Sequence, residues 1–220
     1  MPASETVIVI PAFNEEEWIG RTIDLVRATK VPAKIIVVND GSADRTSEIA
    51  ASKGATVIDL PKNFGKAAAF YAGTKEALKF GPKAVIVIDA DMTEISAKAL
   101  SSMARQAKEL TVKRKPGMII APFREGTMTC FQSNSSGIRA FSAPALYELR
   151  ASKFKGVPRG LGMDQFLNRF FAGRTAILKI KGFYARSAFK GDTPKEKQFR
   201  ETHLTLARVK RRMKSRKSLR

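Results

Sequence analysis

The chain has 220 residues, of which 44% are hydrophobic and 27% charged, as expected of one well-packed globular domain rather than a disordered chain. Its single cysteine excludes an intramolecular disulfide and a multi-cysteine zinc cage. No apolar run approaches the ~18 residues that span a bilayer. No positively charged segment precedes an apolar run at the N-terminus, so we expect no signal peptide. The expected location is therefore cytoplasmic.

The net charge of +20 is unevenly distributed along the chain. Residues 1–110 carry 14 Lys and Arg against 14 Asp and Glu, and residues 111–220 carry the remaining 26 basic and 6 acidic residues. A basic second half predicts an anionic partner, which is a diphosphate, an anionic membrane or a nucleic acid. A solvated basic surface with a charged tail is the simpler alternative.

In the first half, apolar runs of strand length alternate with segments of helical periodicity. The β-branched runs predict strands over Thr6–Ile10, Lys34–Val38, Ala55–Asp59 and Ala84–Ile88. The periodic segments predict helices over Glu15–Thr29, Ala43–Lys53 and Lys66–Phe80. This order predicts right-handed β-α-β crossovers, and so an α/β fold with a mostly parallel central sheet flanked by helices.

The second half gives weaker signals. It predicts strands over Met118–Ala121 and Thr175–Ile180, helices over Pro144–Arg150 and Met163–Phe171, and a polar surface loop over Arg124–Ser136. No linker divides the chain, so we predict one domain over residues 1–194. Residues 195–220 follow it as a basic amphipathic helix or tail, with Phe199, Leu206 and Met213 on one side.

Polar side chains collect where three of the predicted strands end. They are Asn14 and Glu15 in the segment that begins at Pro11 after the first strand, Asn39 and Asp40 after the second, and Asp89 and Asp91 after the fourth. In open α/β sheets, ligands bind beyond the carboxyl ends of the strands. Helix capping explains an isolated acid such as Asp44, but it explains poorly two acids directly after a buried strand. The pattern therefore predicts one site.

Asp89 and Asp91 are the predicted metal ligands. Side chains two apart in an extended segment point the same way, so their carboxylates repel each other unless a cation lies between them. Mg²⁺ and Mn²⁺ prefer such oxygen ligands and take the rest of their coordination from water and substrate phosphates. A cation held there would neutralise a departing diphosphate.

Four motifs carry a resemblance to a known family: PAFNEEE at 11–17, VNDGSADRT at 38–46, NFGKAAAFYAG at 63–73 and IDADM at 88–92. Over about residues 6–110 the chain resembles the nucleotide-binding half of family 2 glycosyltransferases, which have the GT-A fold. The resemblance implies a nucleoside pocket lined by Pro11, Asn14 and Glu15. It also implies that Asp40 accepts a hydrogen bond from the base, that Lys66 lies near the base or the diphosphate, and that Asp89 and Asp91 hold Mg²⁺ or Mn²⁺.

Residues 111–194 resemble the acceptor half of polyprenyl-phosphate sugar transferases related to dolichol-phosphate mannose synthase. The points of similarity are SGIR at 136–139, Asp164 in GLGMDQFL, and Arg186 followed by Lys190 and Gly191. The resemblance implies that Arg139, Arg186 and Lys190 bind the acceptor phosphate and the donor diphosphate. Arg124 is a further candidate for the acceptor phosphate.

The predicted function is transfer of a sugar from a GDP- or UDP-linked donor to a polyprenyl phosphate, with the basic C-terminal helix docked peripherally on the anionic cytoplasmic membrane face. The alternative is a soluble inverting transferase with a hydroxyl acceptor, which needs a general base, and Asp164 is the candidate. Asp164 otherwise pairs with a nearby arginine such as Arg159 or Arg169. We predict no specific nucleic-acid partner, because aromatic residues do not interleave with the basic ones.

Overall fold

A computed structural model describes residues 5–121, 123–125, 128–130, 138–152, 162–178 and 183–185. The chain divides into two compact units, residues 1–186 and 187–220. All described residues belong to the first unit, so the predicted basic helix over 195–220 lies outside them. No helix in the described ranges is long and apolar enough to cross a membrane.

Strands and helices alternate through most of this unit. In chain order the elements are β1 (Thr6–Ala12), α1 (Ile19–Ala28), β2 (Lys34–Asn39), α2 (Thr46–Ser52), β3 (Thr56–Asp59), α3 (Lys66–Leu78), β4 (Ala84–Val87), β5 (Met92–Ile95), α4 (Ala97–Val112), β6 (Met118–Ile120), β7 (Phe123–Glu125), β8 (Met128–Cys130), β9 (Arg139–Ser142), α5 (Ala143–Ala151), α6 (Gly162–Phe170), β10 (Thr175–Ile177) and β11 (Phe183–Ala185).

Seven strands form the central sheet in the order β10-β6-β9-β4-β1-β2-β3. All neighbours are parallel except β9, which runs antiparallel to both β4 and β6. A second sheet has the order β5-β11-β7-β8. The predicted α/β architecture with a mostly parallel central sheet is confirmed, and the carboxyl ends of β1, β2 and β4 lie side by side.

Helices cover both faces of the central sheet. Residues of β1 alternate between the two cores, with Ile8 and Ile10 packed with α1, α2 and α4 on one face. Val7 and Val9 pack on the other face with α3, α5 and α6. Because both faces are buried, the strands read as near-continuous apolar runs in the sequence.

Helix α3 lies unusually close to the sheet at Gly73. A Cβ atom there would stand 2.3 Å from Val9 Cγ1 and 2.9 Å from Val38 Cγ2. We expect Gly73→Ala to lower the free energy of unfolding by about 1–3 kcal/mol, because the helix must shift away from packed strands. Urea unfolding measures the change. The exposed Lys75→Ala on the same helix is the control and should change stability little, and an unchanged Gly73→Ala would contradict the close packing.

Several elements differ from the sequence prediction. Helix α1 begins at Ile19 rather than Glu15, because the preceding segment forms a loop with Asn14 at φ 53°. The prediction of a loop over Arg124–Ser136 is wrong in its described part, where β7 pairs with β8. Helix α4 and strands β5, β9 and β11 are not among the predicted elements.

Candidate active site

The loops after β1 and β2 are hydrogen-bonded to each other. The backbone N–H of Asn14 donates to Ser42 Oγ at 2.9 Å, and Asn14 Oδ1 accepts from the Ala43 N–H at 3.0 Å. The Glu15 N–H donates to Thr46 Oγ1 at 2.8 Å. Pro11 lies near the end of β1. The predicted nucleoside-pocket residues therefore lie together at the carboxyl edge of the central sheet. Asn14 also joins the loop after β1 to the loop after β2.

Asp40 ties the loop after β3 to this edge. Its carboxylate is buried and accepts from the N–H groups of Phe64 at 2.9 Å and Gly65 at 2.7 Å. Gly41 has φ 69°, and a Cβ there would stand 2.4 Å from the carbonyl carbon of Lys62. The loop is thus held tightly at the start of α3. Since a carboxylate oxygen has two acceptor sites, this use leaves room for the predicted bond from a base.

Lys66, the first residue of α3, extends to the end of β4. Its Nζ lies 2.5 Å from Asp89 Oδ1, and its side chain is 36% exposed against 21% for Asp89. Burial disfavours the ammonium charge, but the carboxylates of Asp89, Asp164 and Asp91 together raise the pKa of Lys66. The lysine therefore remains charged beside Asp89, and its role at a donor diphosphate stays a prediction.

The turn that carries Asp89 and Asp91 is fixed from α1. The buried hydroxyl of Thr22 donates to the carbonyl of Ala90 at 2.6 Å and accepts from the N–H of Met92 at 3.1 Å. Arg21 Nη2 donates to the carbonyl of Thr93 at 3.2 Å. These contacts hold the backbone on both sides of Asp91. Sequence analysis did not single out Thr22.

Asp164 pairs with Arg139. Of the two predicted candidates, Arg159 lies outside the described residues, and Arg169, which is described, makes no ion pair with Asp164 within them. Arg139 Nε donates to Asp164 Oδ1 at 3.2 Å, and Arg139 Nη1 donates to Asn168 Oδ1 at 2.7 Å. The Arg139 side chain is 1% exposed and that of Asp164 12%. Burial raises the pKa of Asp164, while the charges of Lys66 and Arg139 oppose that rise.

This burial changes the interpretation of Arg139. We expected it to contact an acceptor phosphate, but its guanidinium is enclosed between β9 and α6 and is bonded to residues of α6. In the structure it orients Asp164 and Asn168 rather than facing solvent. Asn168 is a second partner that the sequence did not indicate.

Asp89 and Asp91 suit a divalent cation whose other coordination positions are filled by substrate and water. Within the described ranges, no group of three or more His, Cys, Asp or Glu side chains is arranged so that it could hold a metal ion by itself. Asp89 and Asp91 would supply two carboxylates, and Mg²⁺ commonly combines one or two carboxylates with substrate phosphates and water. Two hard oxygen donors just beyond the carboxyl end of β4 are therefore suitable ligands.

Other predicted site residues lie outside the described part of the chain. They are Arg186, Lys190 and the basic segment 195–220, and for Arg124 only the backbone, in β7, is described. The structure therefore brings together the predicted nucleoside residues, Lys66, the two acids and Asp164. Arg186 and Lys190 stay predictions.

Residues 7–112 match the family model of Glycosyl transferase family 2. This part of the chain belongs to that family. Over 104 residues the chain is 38% identical to the 4,4'-diaponeurosporenoate glycosyltransferase of Staphylococcus aureus, which corresponds to 45% of this chain and 27% of that enzyme. The matched stretch is thus about a quarter of the length of that relative.

Solved structures extend the likeness beyond this segment. The chain superposes on Mycobacterium tuberculosis glucosyl-3-phosphoglycerate synthase in complex with Mn²⁺, UDP-glucose and phosphoglyceric acid. That match has a TM-score of 0.62 and 20% identity and covers 88% of this chain and 74% of the other. S. aureus TarS 1–349 matches with a TM-score of 0.59 and 15% identity, over 83% and 60% of the two chains. The chain therefore has the fold of these enzymes, which is the GT-A fold.

Proposed function

We propose that this family 2 glycosyltransferase moves a sugar from a nucleoside diphosphate to an acceptor, with a divalent cation held by Asp89 and Asp91. The observation that carries the proposal is the convergence of these two acids with Lys66 at the carboxyl edge of β4. The loops after β1 and β2, with Asn14, Glu15 and Asp40, would enclose the nucleoside.

The residues have distinct tasks in this proposal. When bound, Mg²⁺ or Mn²⁺ would neutralise charge on the leaving diphosphate. Lys66 donates hydrogen bonds to the same oxygens, since an ammonium suits phosphate. Asp40 orients the base and holds the loop before Lys66. Arg139 fixes the rotamer of Asp164 by the contacts of its guanidinium with Asp164 Oδ1.

A donor screen tests the proposal. Purified protein with Mn²⁺ or Mg²⁺ is given UDP- and GDP-linked sugars, and release of the nucleoside diphosphate is measured with and without polyprenyl phosphate. UDP-glucose comes first, because the M. tuberculosis synthase of the same fold was crystallised with it. Release that requires both metal and acceptor supports the proposal, and no release with any donor contradicts it.

For the acceptor we propose a polyprenyl phosphate, on the basis of the resemblance of residues 111–194 to those transferases. A phosphate monoester is already anionic at neutral pH and needs no strong base. The second candidate is a hydroxyl acceptor, and the buried carboxylate of Asp164 favours it, because burial raises its pKa toward that of a useful base.

Asp164→Asn separates the two acceptors. With a phosphate acceptor we expect turnover close to wild type, whereas a hydroxyl acceptor predicts a loss of about 10²–10⁴ in kcat. Asn168→Ala is the control, because it removes the other partner of Arg139 and leaves the carboxylate in place. Because Asp164→Asn also leaves Arg139 without its buried partner, kcat is measured per mole of folded protein. A large loss of kcat on that basis, with Asn168→Ala near wild type, would overturn the phosphate proposal.

We also propose that residues 195–220 dock on an anionic membrane surface, on the basis of their charge and their apolar side. Each Lys or Arg near such a surface contributes roughly 1 kcal/mol. The full chain is expected to co-sediment with vesicles that contain anionic lipid, and deletion of residues 196–220 should abolish this. Equal binding to neutral vesicles would contradict docking by charge.

A further inference from the structure

The buried face of α1 contains one polar side chain. Its apolar members are Ile19, Ile23 and Val26, and Thr22 stands among them with no exposed surface. A hydroxyl in such a position costs free energy unless it is hydrogen-bonded. The partners of Thr22 therefore indicate why a polar residue occupies this face.

Those partners are two backbone groups about 70 positions away in the sequence. The hydroxyl donates to the carbonyl of Ala90 at 2.6 Å and accepts from the N–H of Met92 at 3.1 Å. One side chain thus satisfies the buried main chain immediately before and immediately after Asp91. A methyl group in its place would leave both groups without that partner, and the turn would move to find others.

Helix α1 also connects this turn to the predicted nucleoside loop. The Thr22 N–H donates to the carbonyl of Trp18 at 2.9 Å, so Thr22 lies in the first turn of α1, directly after the loop that contains Asn14 and Glu15. Arg21 contacts the carbonyl of Thr93 from the same turn of the helix. The beginning of α1 therefore positions both the nucleoside loop and the acidic turn.

We propose that Thr22 is a positioning residue of the metal site, whose hydroxyl fixes the backbone that carries Asp91. The inference rests on the proposed metal-dependent transfer, because it assigns Thr22 to the geometry of the Asp89 and Asp91 pair. Groups that hold metal ligands in place are needed for affinity although they do not touch the metal.

Three variants test this role by Mn²⁺ titration in the presence of UDP, with free Mn²⁺ read by electron paramagnetic resonance. Thr22→Val keeps the shape and loses the hydroxyl, and it should weaken Mn²⁺ binding by about 10- to 100-fold. Thr22→Ser keeps the hydroxyl and should retain the wild-type affinity. Thr74→Val removes an equally buried hydroxyl from α3, bonded to the Phe70 carbonyl at 2.8 Å, and should leave Mn²⁺ binding unchanged.

Wild-type Mn²⁺ affinity in Thr22→Val, or an equal loss in Thr74→Val, would overturn the inference. If the wild-type protein binds no Mn²⁺ with UDP or GDP, the proposed function fails, and hydrogen exchange of the Met92 amide then tests the contact itself. Exchange should be faster in Thr22→Val than in the wild type and in Thr74→Val. An unchanged rate would show that Thr22 does not hold the turn.

Discussion

Replacing Asp91 by asparagine is expected to lower sugar transfer by about 10²–10³, because the variant loses half of the carboxylate charge that would hold the cation beside the leaving diphosphate. The substitution keeps the size of the side chain, and the flanking backbone contacts of Thr22 do not involve the carboxylate. Nucleoside diphosphate release at saturating Mn²⁺ measures the effect on kcat.

Asp59→Asn is the matched control for this experiment. Asp59 ends β3 at the same edge of the sheet and accepts a hydrogen bond from Asn39 Nδ2 at 2.8 Å, which an asparagine oxygen can still accept. Its activity should stay near the wild-type value. If Asp91→Asn also retained activity while binding its donor normally, the metal assignment would be wrong.

Arg139→Met is expected to lower the free energy of unfolding by about 3–5 kcal/mol, which is the largest stability effect that we predict. The Arg139 and Asp164 side chains are 1% and 12% exposed, so removal of the arginine leaves a buried carboxylate without its partner. Denaturant unfolding followed by circular dichroism measures the loss.

A double variant separates this effect from a loss of packing. Arg139→Met with Asp164→Leu removes both charges, and it should recover most of the stability lost in the single variant. Arg105→Met removes a surface pair with Glu109, whose side chains are 65% and 50% exposed, and should change stability little. If Arg139→Met were as stable as the wild type, loss of Arg139 would not leave the Asp164 carboxylate as an uncompensated buried charge.

Local apolar patterns were enough to predict the elements from β1 to β4. The strands at the positions of β1, β2 and β4 are buried on both faces, so their sequences are continuous apolar runs whatever their neighbours are. The rule that ligands bind at strand carboxyl ends then placed Asp40, Asp89 and Asp91 at one edge. The structure adds the contact of Lys66 with Asp89.

Other features depend on contacts that a linear pattern does not contain. Strands β5, β9 and β11 have three or four residues each, too few for a periodic signal, and long-range pairing determines them. Helix α4 buries Ala99, Leu100, Met103, Ala104 and Ala107 at helical spacing, so its apolar face is present in the sequence although no helix was predicted there. Arg139 was expected to bind a phosphate because of the resemblance at SGIR, and its burial follows from partners on α6 that are distant in sequence.

The position of β9 shows that the family-matched residues do not complete their own sheet. Strand β9 comes from beyond the family-matched residues 7–112, yet it lies between β4 and β6 and pairs with both. A chain cut after Val112 would leave β4 as an unpaired, uncharged edge of mainly β-branched residues. Such an edge promotes association with other copies of the chain. The acidic turn directly follows that strand. Residues 7–112 therefore need a strand from the second half of the chain to pair with β4 and close the sheet.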